Sequence, residues 1–174
     1  MKIFNNVLSL SLVKLLMDDV NSLKTNSNPC EREKWTSSNL CWPLILTEMS
    51  NGPVYTSSLN KQLVTLVSNE IKHLLPKHDS LYMAHYLWDK NSSISVHNDD
   101  IHLFGATIYL NRHWDIRYGG LFVYFEDNQW KTFLPNFNSL VLNDEFQDHM
   151  VTIISPNIPE FRHTIQIWGK VNGS

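Results

Sequence analysis

The sequence predicts a mainly β chain: a jelly roll braced by N-terminal α-helices. Two stretches of apolar residues at helical spacing lie in the first half of the chain. After Pro76, short β-rich runs follow one another, separated by Asn, Asp, Gly and Pro. No repeat, low-complexity tract or linker divides the 174 residues. A single domain is therefore expected, with helical and strand support over residues 1–80 and a jelly-roll core over 81–170.

The elements follow in order. Val7, Leu10, Val13 and Leu16, with Val20 beyond, keep to one face of a first helix. Lys14 interrupts this apolar stretch and Asp18 and Asp19 follow it, so it reads as an amphipathic helix rather than a signal peptide. Residues 22–33 are polar, carry Pro29 and read as a loop. From Trp35 to Met49, short apolar stretches around Pro43 suggest strands, and Asn51, Gly52 and Pro53 mark a turn. A second helix is expected from Ser57 to Leu75. Leu59, Leu63, Val67 and Ile71 are spaced by four, Ser57 or Ser58 can cap it, and Pro76 ends it. The runs LYMAHYLW, SISVH, ATIYLN, GLFVYF, SLVLN, VTII and HTIQIW then read as strands.

Composition narrows the function. Apolar residues make up 43% and charged residues 18%, an ordinary mix for a soluble globular protein. A net charge of -3 offers no basic field for a nucleic-acid backbone, so no nucleic-acid partner is expected. Cys30 and Cys41 have no metal-type spacing and read as free thiols of a reducing compartment, consistent with a cytoplasmic protein. No run of about 18 apolar residues is present, so no membrane span is expected.

The chemistry concentrates at His97–Asn98–Asp99, at the end of the run SISVH. Alternate side chains of a strand share a face, so an imidazole and a carboxylate two residues apart can bind one metal. His149, at the head of HMVTII, supplies a third ligand. Two histidines and one carboxylate form the facial set that holds iron(II) and leaves three adjacent positions open. A 2-oxo acid can chelate two of these, and O2 can take the third.

A His-x-Asp motif alone is weak, and His113–Trp114–Asp115 is a second one. The first is preferred because it ends a strand, whereas His113 falls between ATIYLN and GLFVYF, where a hairpin turn is expected. Arg162 heads the final run. Its planar fork suits the far carboxylate of a 2-oxo diacid. The 13 residues from His149 to Arg162 suggest two neighbouring strands. In isolation Arg162 reads first as a surface charge at a strand end.

Taken together, HisAsnAsp at 97–99, TyrLeuAsn at 109–111 with Trp114, GlyGlyLeu at 119–121, His149 with Val151, and Arg162 with Trp168 resemble a known family. It is the 2-oxoglutarate- and iron(II)-dependent dioxygenases of the prolyl 4-hydroxylase type, and the resemblance spans roughly residues 81–170. The segment between Asp99 and Tyr109 is shorter than in the oxygen-sensing members, and that between His149 and Arg162 is longer.

The resemblance implies a double-stranded β-helix with His97, Asp99 and His149 as catalytic metal ligands and Arg162 as the cosubstrate anchor. It implies Tyr109 as a hydrogen-bond partner of the distal carboxylate, with Tyr86 in a similar role. Gly119–Gly120 reads as turn geometry and Trp168 as packing. The implied cofactors are Fe(2+), 2-oxoglutarate and O2, with ascorbate as reductant. The implied reaction hydroxylates an unactivated C–H bond, most readily of peptidyl proline, and releases succinate and CO2. Two alternatives stay open: the same chemistry on a free amino acid or other small molecule, and a non-catalytic, cupin-like ligand-binding jelly roll. The sequence leaves the oligomeric state undetermined.

Overall fold

The computed structural model describes residues 1–24, 36–38 and 54–171. Both cysteines, the turn at residues 51–53 and, apart from Thr36–Ser38, the strands expected between Trp35 and Met49 lie outside the described residues. The described chain folds as β1 (Lys2–Asn5), α1 (Leu10–Lys24), β2 (Thr36–Ser38), β3 (Val54–Ser58), α2 (Lys61–Ile71), β4 (Ser80–Trp88), β5 (Ile94–His97), β6 (Phe104–Tyr109), β7 (Phe122–Glu126), β8 (Gln129–Phe133), β9 (Ser139–Asn143), β10 (His149–Val151) and β11 (Arg162–Lys170). A seven-stranded sheet has the order β1-β9-β6-β11-β4-β3-β2, and a four-stranded sheet the order β5-β10-β7-β8. All pairings are antiparallel. From β4 to β11 the chain passes from one sheet to the other at every connection except the β7–β8 hairpin. This is the expected jelly roll, braced by two helices among the described residues.

Strand alternation divides the core in two. One face of the large sheet carries Met83, Phe104, Ala106, Ile108, Leu140, Leu142, Ile165 and Ile167. These pack against Leu12, Val13 and Leu16 of α1 and Leu63, Val67 and Ile71 of α2. The opposite face presents Trp88, Tyr109 and Val141 to Ile94, Phe122, Tyr124 and Val151 of the small sheet. The large sheet is thus covered on both sides, and the gap between the sheets holds the polar residues described below.

Several local expectations are corrected. The first helix starts at Leu10 rather than Val7, because Ser9 caps it: its Oγ accepts from the Leu12 amide at 3.3 Å. It continues through residues 22–24, which were expected to be loop. Leu12, not Leu10, faces the core, and Leu10 is 67% exposed. The second helix is shorter than expected. Ser57 and Ser58 belong to β3, and the cap is Asn60, whose Oδ1 accepts from the Leu63 amide at 3.0 Å. That helix ends at Ile71, ahead of Pro76.

Strand β8 was not anticipated. Asp127 and Asn128 both take positive φ, 54° and 59°, making the two-residue turn that joins it to β7. Strand β1 also went unread, since four residues with a mostly exposed pattern give little signal. The segment between β6 and β7 is not a hairpin, because those strands lie in different sheets. Likewise β10 and β11 are not neighbours: they face each other across the gap. No helix among the described residues is long and apolar enough to cross a membrane.

Candidate metal centre

The small sheet positions two histidines. His97 ends β5 and His149 begins β10, and the two are direct antiparallel partners. Pairing then slips by one residue, since His149 and Val151 oppose His97 and Ile94. Asp99 lies just past the end of β5, and its carbonyl accepts from the His102 amide at 2.9 Å, which turns the chain. The three side chains are buried, at 8%, 4% and 6% exposure for His97, Asp99 and His149. Their ligating atoms all lie within 4.8 Å of one another, the only such cluster among the described residues. His97 Nε2 stands 4.0 Å and His149 Nε2 3.6 Å from the two Asp99 oxygens.

Hydrogen bonds fix which ring nitrogen faces the centre. His97 Nδ1 lies 2.8 Å from the Ser95 carbonyl, and His149 Nδ1 lies 2.9 Å from the Gln147 carbonyl. A carbonyl oxygen only accepts, so each Nδ1 carries the proton and each Nε2 offers its lone pair. Burial, with the neighbouring His149, pushes His97 down to about 4, and burial also lowers His149. Both rings are therefore neutral at pH 7, the state a metal requires. Burial raises the Asp99 carboxyl, opposed by His97. A bound cation would reverse that shift.

The cavity beside this cluster is small, about 50 Å³, and is walled by both sheets. Across it on β11 lies Arg162, only 1% exposed. Its Nε has no hydrogen-bond partner, and no carboxylate among the described residues pairs with it. The guanidinium is held instead over the rings of Trp88 at 5.3 Å and Tyr109 at 5.1 Å. Gly120, at φ +62°, lets the preceding loop close down: a Cβ there would stand 2.9 Å from Arg162 Cδ. Gly119–Gly120 therefore provides the expected turn and also covers the arginine. The Tyr109 hydroxyl is buried beside the Arg162 guanidinium; burial pushes its pKa up to about 12 against the lowering effect of Arg162, so it stays protonated. Burial likewise raises the Tyr86 phenol, which lines the cavity nearer Trp168, with ring centroids 5.8 Å apart.

Every expected site residue thus lines one cavity: His97, Asp99, His149, Arg162, Tyr109 and Tyr86. His113 is exposed, and Asp115 is engaged with Arg117, so the second His-x-Asp motif takes no part. Sequence reasoning missed Thr107, Asn143, Thr164 and Gln166, which also line the cavity. Alternation along β11 from Arg162 was the available signal for Thr164 and Gln166. Trp168, read as packing, also lines the cavity, and its buried Nε1 has no acceptor among the described residues. Gly105 was missed as well: a Cβ there would collide with Asp99 Oδ2, so only glycine lets the carboxylate lie against β6.

The residues fit a metal and a small dianion. Neutral imidazoles and one carboxylate converge at one end, and an unpaired cation and a phenol donor wait at the other.

No family model matches the sequence, and no curated protein matches it. Solved structures match in shape. A prolyl-4-hydroxylase from Pseudomonas putida is 14% identical, with TM-score 0.68 over 99% of this chain and 92% of that one. A prolyl hydroxylase from Trichoplax adhaerens, solved with a peptide fragment of the hypoxia inducible factor oxygen degradation domain, is 17% identical, with TM-score 0.72 over 97% and 82%. The viral collagen prolyl hydroxylase of Paramecium Bursaria Chlorella virus-1, solved as a 2OG complex, is 11% identical, with TM-score 0.59 over 96% and 93%. These likenesses show that the chain has the double-stranded β-helix fold of those enzymes.

Proposed function

We propose that this chain is an iron(II)- and 2-oxoglutarate-dependent dioxygenase that hydroxylates an unactivated C–H bond, with peptidyl proline as its substrate. The observation that carries the reading is Arg162. A buried guanidinium without a carboxylate is costly unless a ligand neutralises it, and this one shares a cavity with two histidines and an aspartate poised for a metal. A sugar-binding or purely structural jelly roll needs no such cation. The peptide reading draws support from the fold shared with prolyl hydroxylases, one of them solved with a peptide.

His97 Nε2, Asp99 and His149 Nε2 would hold the iron. Bound iron would supply activation of O2, with 2-oxoglutarate as the two-electron co-reductant. The chain's own residues do the rest. The Ser95 and Gln147 carbonyls lock the imidazoles in the ligating tautomer. Arg162 and Tyr109 take the distal carboxylate by charge-assisted hydrogen bonds. Trp88, Phe122, Val141 and Val151 line the cavity with apolar surface that excludes water.

The test is succinate formation from 2-oxoglutarate with iron and ascorbate, comparing proline-containing peptides with free proline. Turnover with a peptide supports the full reading, and turnover only with free proline moves the substrate to small molecules. The absence of cosubstrate binding under any condition rejects the reading.

A further inference from the structure

Thr107 and Gln166 are a polar pair in the cavity wall with no part in the ligand set or in the distal grip. They are cross-strand partners on β6 and β11. The Thr107 hydroxyl donates to Gln166 Oε1 at 2.7 Å. That bond orients the amide, so Nε2 carries two N–H donors for which no acceptor is present among the described residues. Gln166 is only partly buried and lines the cavity, so these donors are open to a ligand that brings an acceptor.

The register says what the acceptor is. Along the same two strands the cavity-facing partners are Thr164 with Tyr109, Gln166 with Thr107, and Trp168 with Gly105. The Tyr109 rung holds the distal grip with Arg162. The Gly105 rung lies against the Asp99 carboxylate. The Gln166 rung stands between them, about 7 Å along the strand from each. A 2-oxo diacid reaching from Arg162 to the metal must pass this rung, with its metal-side carboxylate next to it. Thr164 is less available, because its hydroxyl already accepts from Trp88 Nε1 at 3.4 Å.

We infer that Gln166 is a further cosubstrate-binding residue, its amide donating to the metal-side carboxylate of the 2-oxo acid, and that Thr107 is the positioning residue that aims it. The inference rests on the proposed function and adds a third contact point to it. With Arg162 at one end and the metal ligands at the other, this contact would orient the bound 2-oxo acid.

The test is an anaerobic titration of the iron(II)-loaded protein with 2-oxoglutarate, reading the dissociation constant and the visible charge-transfer band of the chelate. Losing one hydrogen bond to a charged group should weaken binding about tenfold or more in Gln166→Leu and move the band, with iron affinity retained. Gln166→Glu should weaken binding further, because it sets an anion against an anion. Thr107→Val should have a smaller effect, restored by Thr107→Ser, and should add nothing to Gln166→Leu. Arg162→Ala, acting at the far end, should weaken binding without moving the band. A wild-type dissociation constant and band in Gln166→Leu overturns the inference while leaving the proposed function standing, as does a matching loss of iron. A wild-type protein that gives no band overturns the proposed function itself.

Discussion

A charge taken out of water must be compensated where it lies, and Arg162 is the residue at which this rule has most consequence. Its guanidinium sits between two aromatic rings with no carboxylate in reach among the described residues. Arg162→Ala should therefore raise the KM for 2-oxoglutarate about a hundredfold or more, the scale of breaking a buried charged pair, and leave iron affinity nearly intact. Arg162→Lys should recover part of the loss, since it restores the charge without the fork. An unchanged KM would remove Arg162 from the cosubstrate site. Gly105 offers a second test at this scale. A Cβ there meets the Asp99 carboxylate head-on. Gly105→Ala should lower iron affinity about tenfold to a hundredfold, the range seen when a group that orients a metal ligand is disturbed. Equilibrium binding of iron(II) under anaerobic conditions reads this directly, with circular dichroism to confirm that the fold is kept.

Elements are held in place by asparagines as much as by apolar contacts. Asn60 caps α2, and Asn60→Ala should cost about 1 kcal/mol in denaturant unfolding. Asn138 does more. It is 2% exposed, and its side chain both accepts from the Leu8 amide at 3.0 Å and donates to the Leu8 carbonyl at 2.7 Å, pinning the approach to α1 against the sheets. Its φ is 58°. Asn138→Gly loses the two bonds but keeps the left-handed backbone comfortable. Asn138→Ala loses the same bonds and adds backbone strain, so it should be the worse of the two by about 1 kcal/mol. Equal destabilisation by the two variants would show that the backbone at 138 relaxes out of the left-handed region.

At the scale of the whole molecule, the candidate metal centre joins two strands and a turn, and the proposed cosubstrate grip lies on the opposite sheet. A divalent metal that binds only the folded state should therefore raise the unfolding temperature of the whole domain, by about 3–4 kcal/mol of added stability at a concentration several hundred times its dissociation constant. His149→Ala should abolish that shift in a thermal scan with and without metal. A shift of equal size in His149→Ala would place the metal elsewhere.

The sequence by itself determined the class of fold and most of the strands, and it singled out His97, Asp99 and His149, which the fold brings together. Periodicity is local, and a histidine or aspartate carries its chemistry wherever the chain puts it. The same local reading placed the second helix's cap on Ser57 or Ser58, because a serine ahead of an apolar stripe resembles a cap until β3 pairing claims it. The 13-position separation of His149 and Arg162 suggested adjacent strands, because separation along the chain carries no information about which sheet a strand joins. Only the tertiary structure set β10 and β11 face to face. Only the tertiary structure turned Nε2 of both histidines toward the candidate centre, through carbonyls two residues away. It alone made Gly105 the seat of Asp99 and left Arg162 without a carboxylate among the described residues, since both are properties of the space between the sheets, and that space exists only when both are in place.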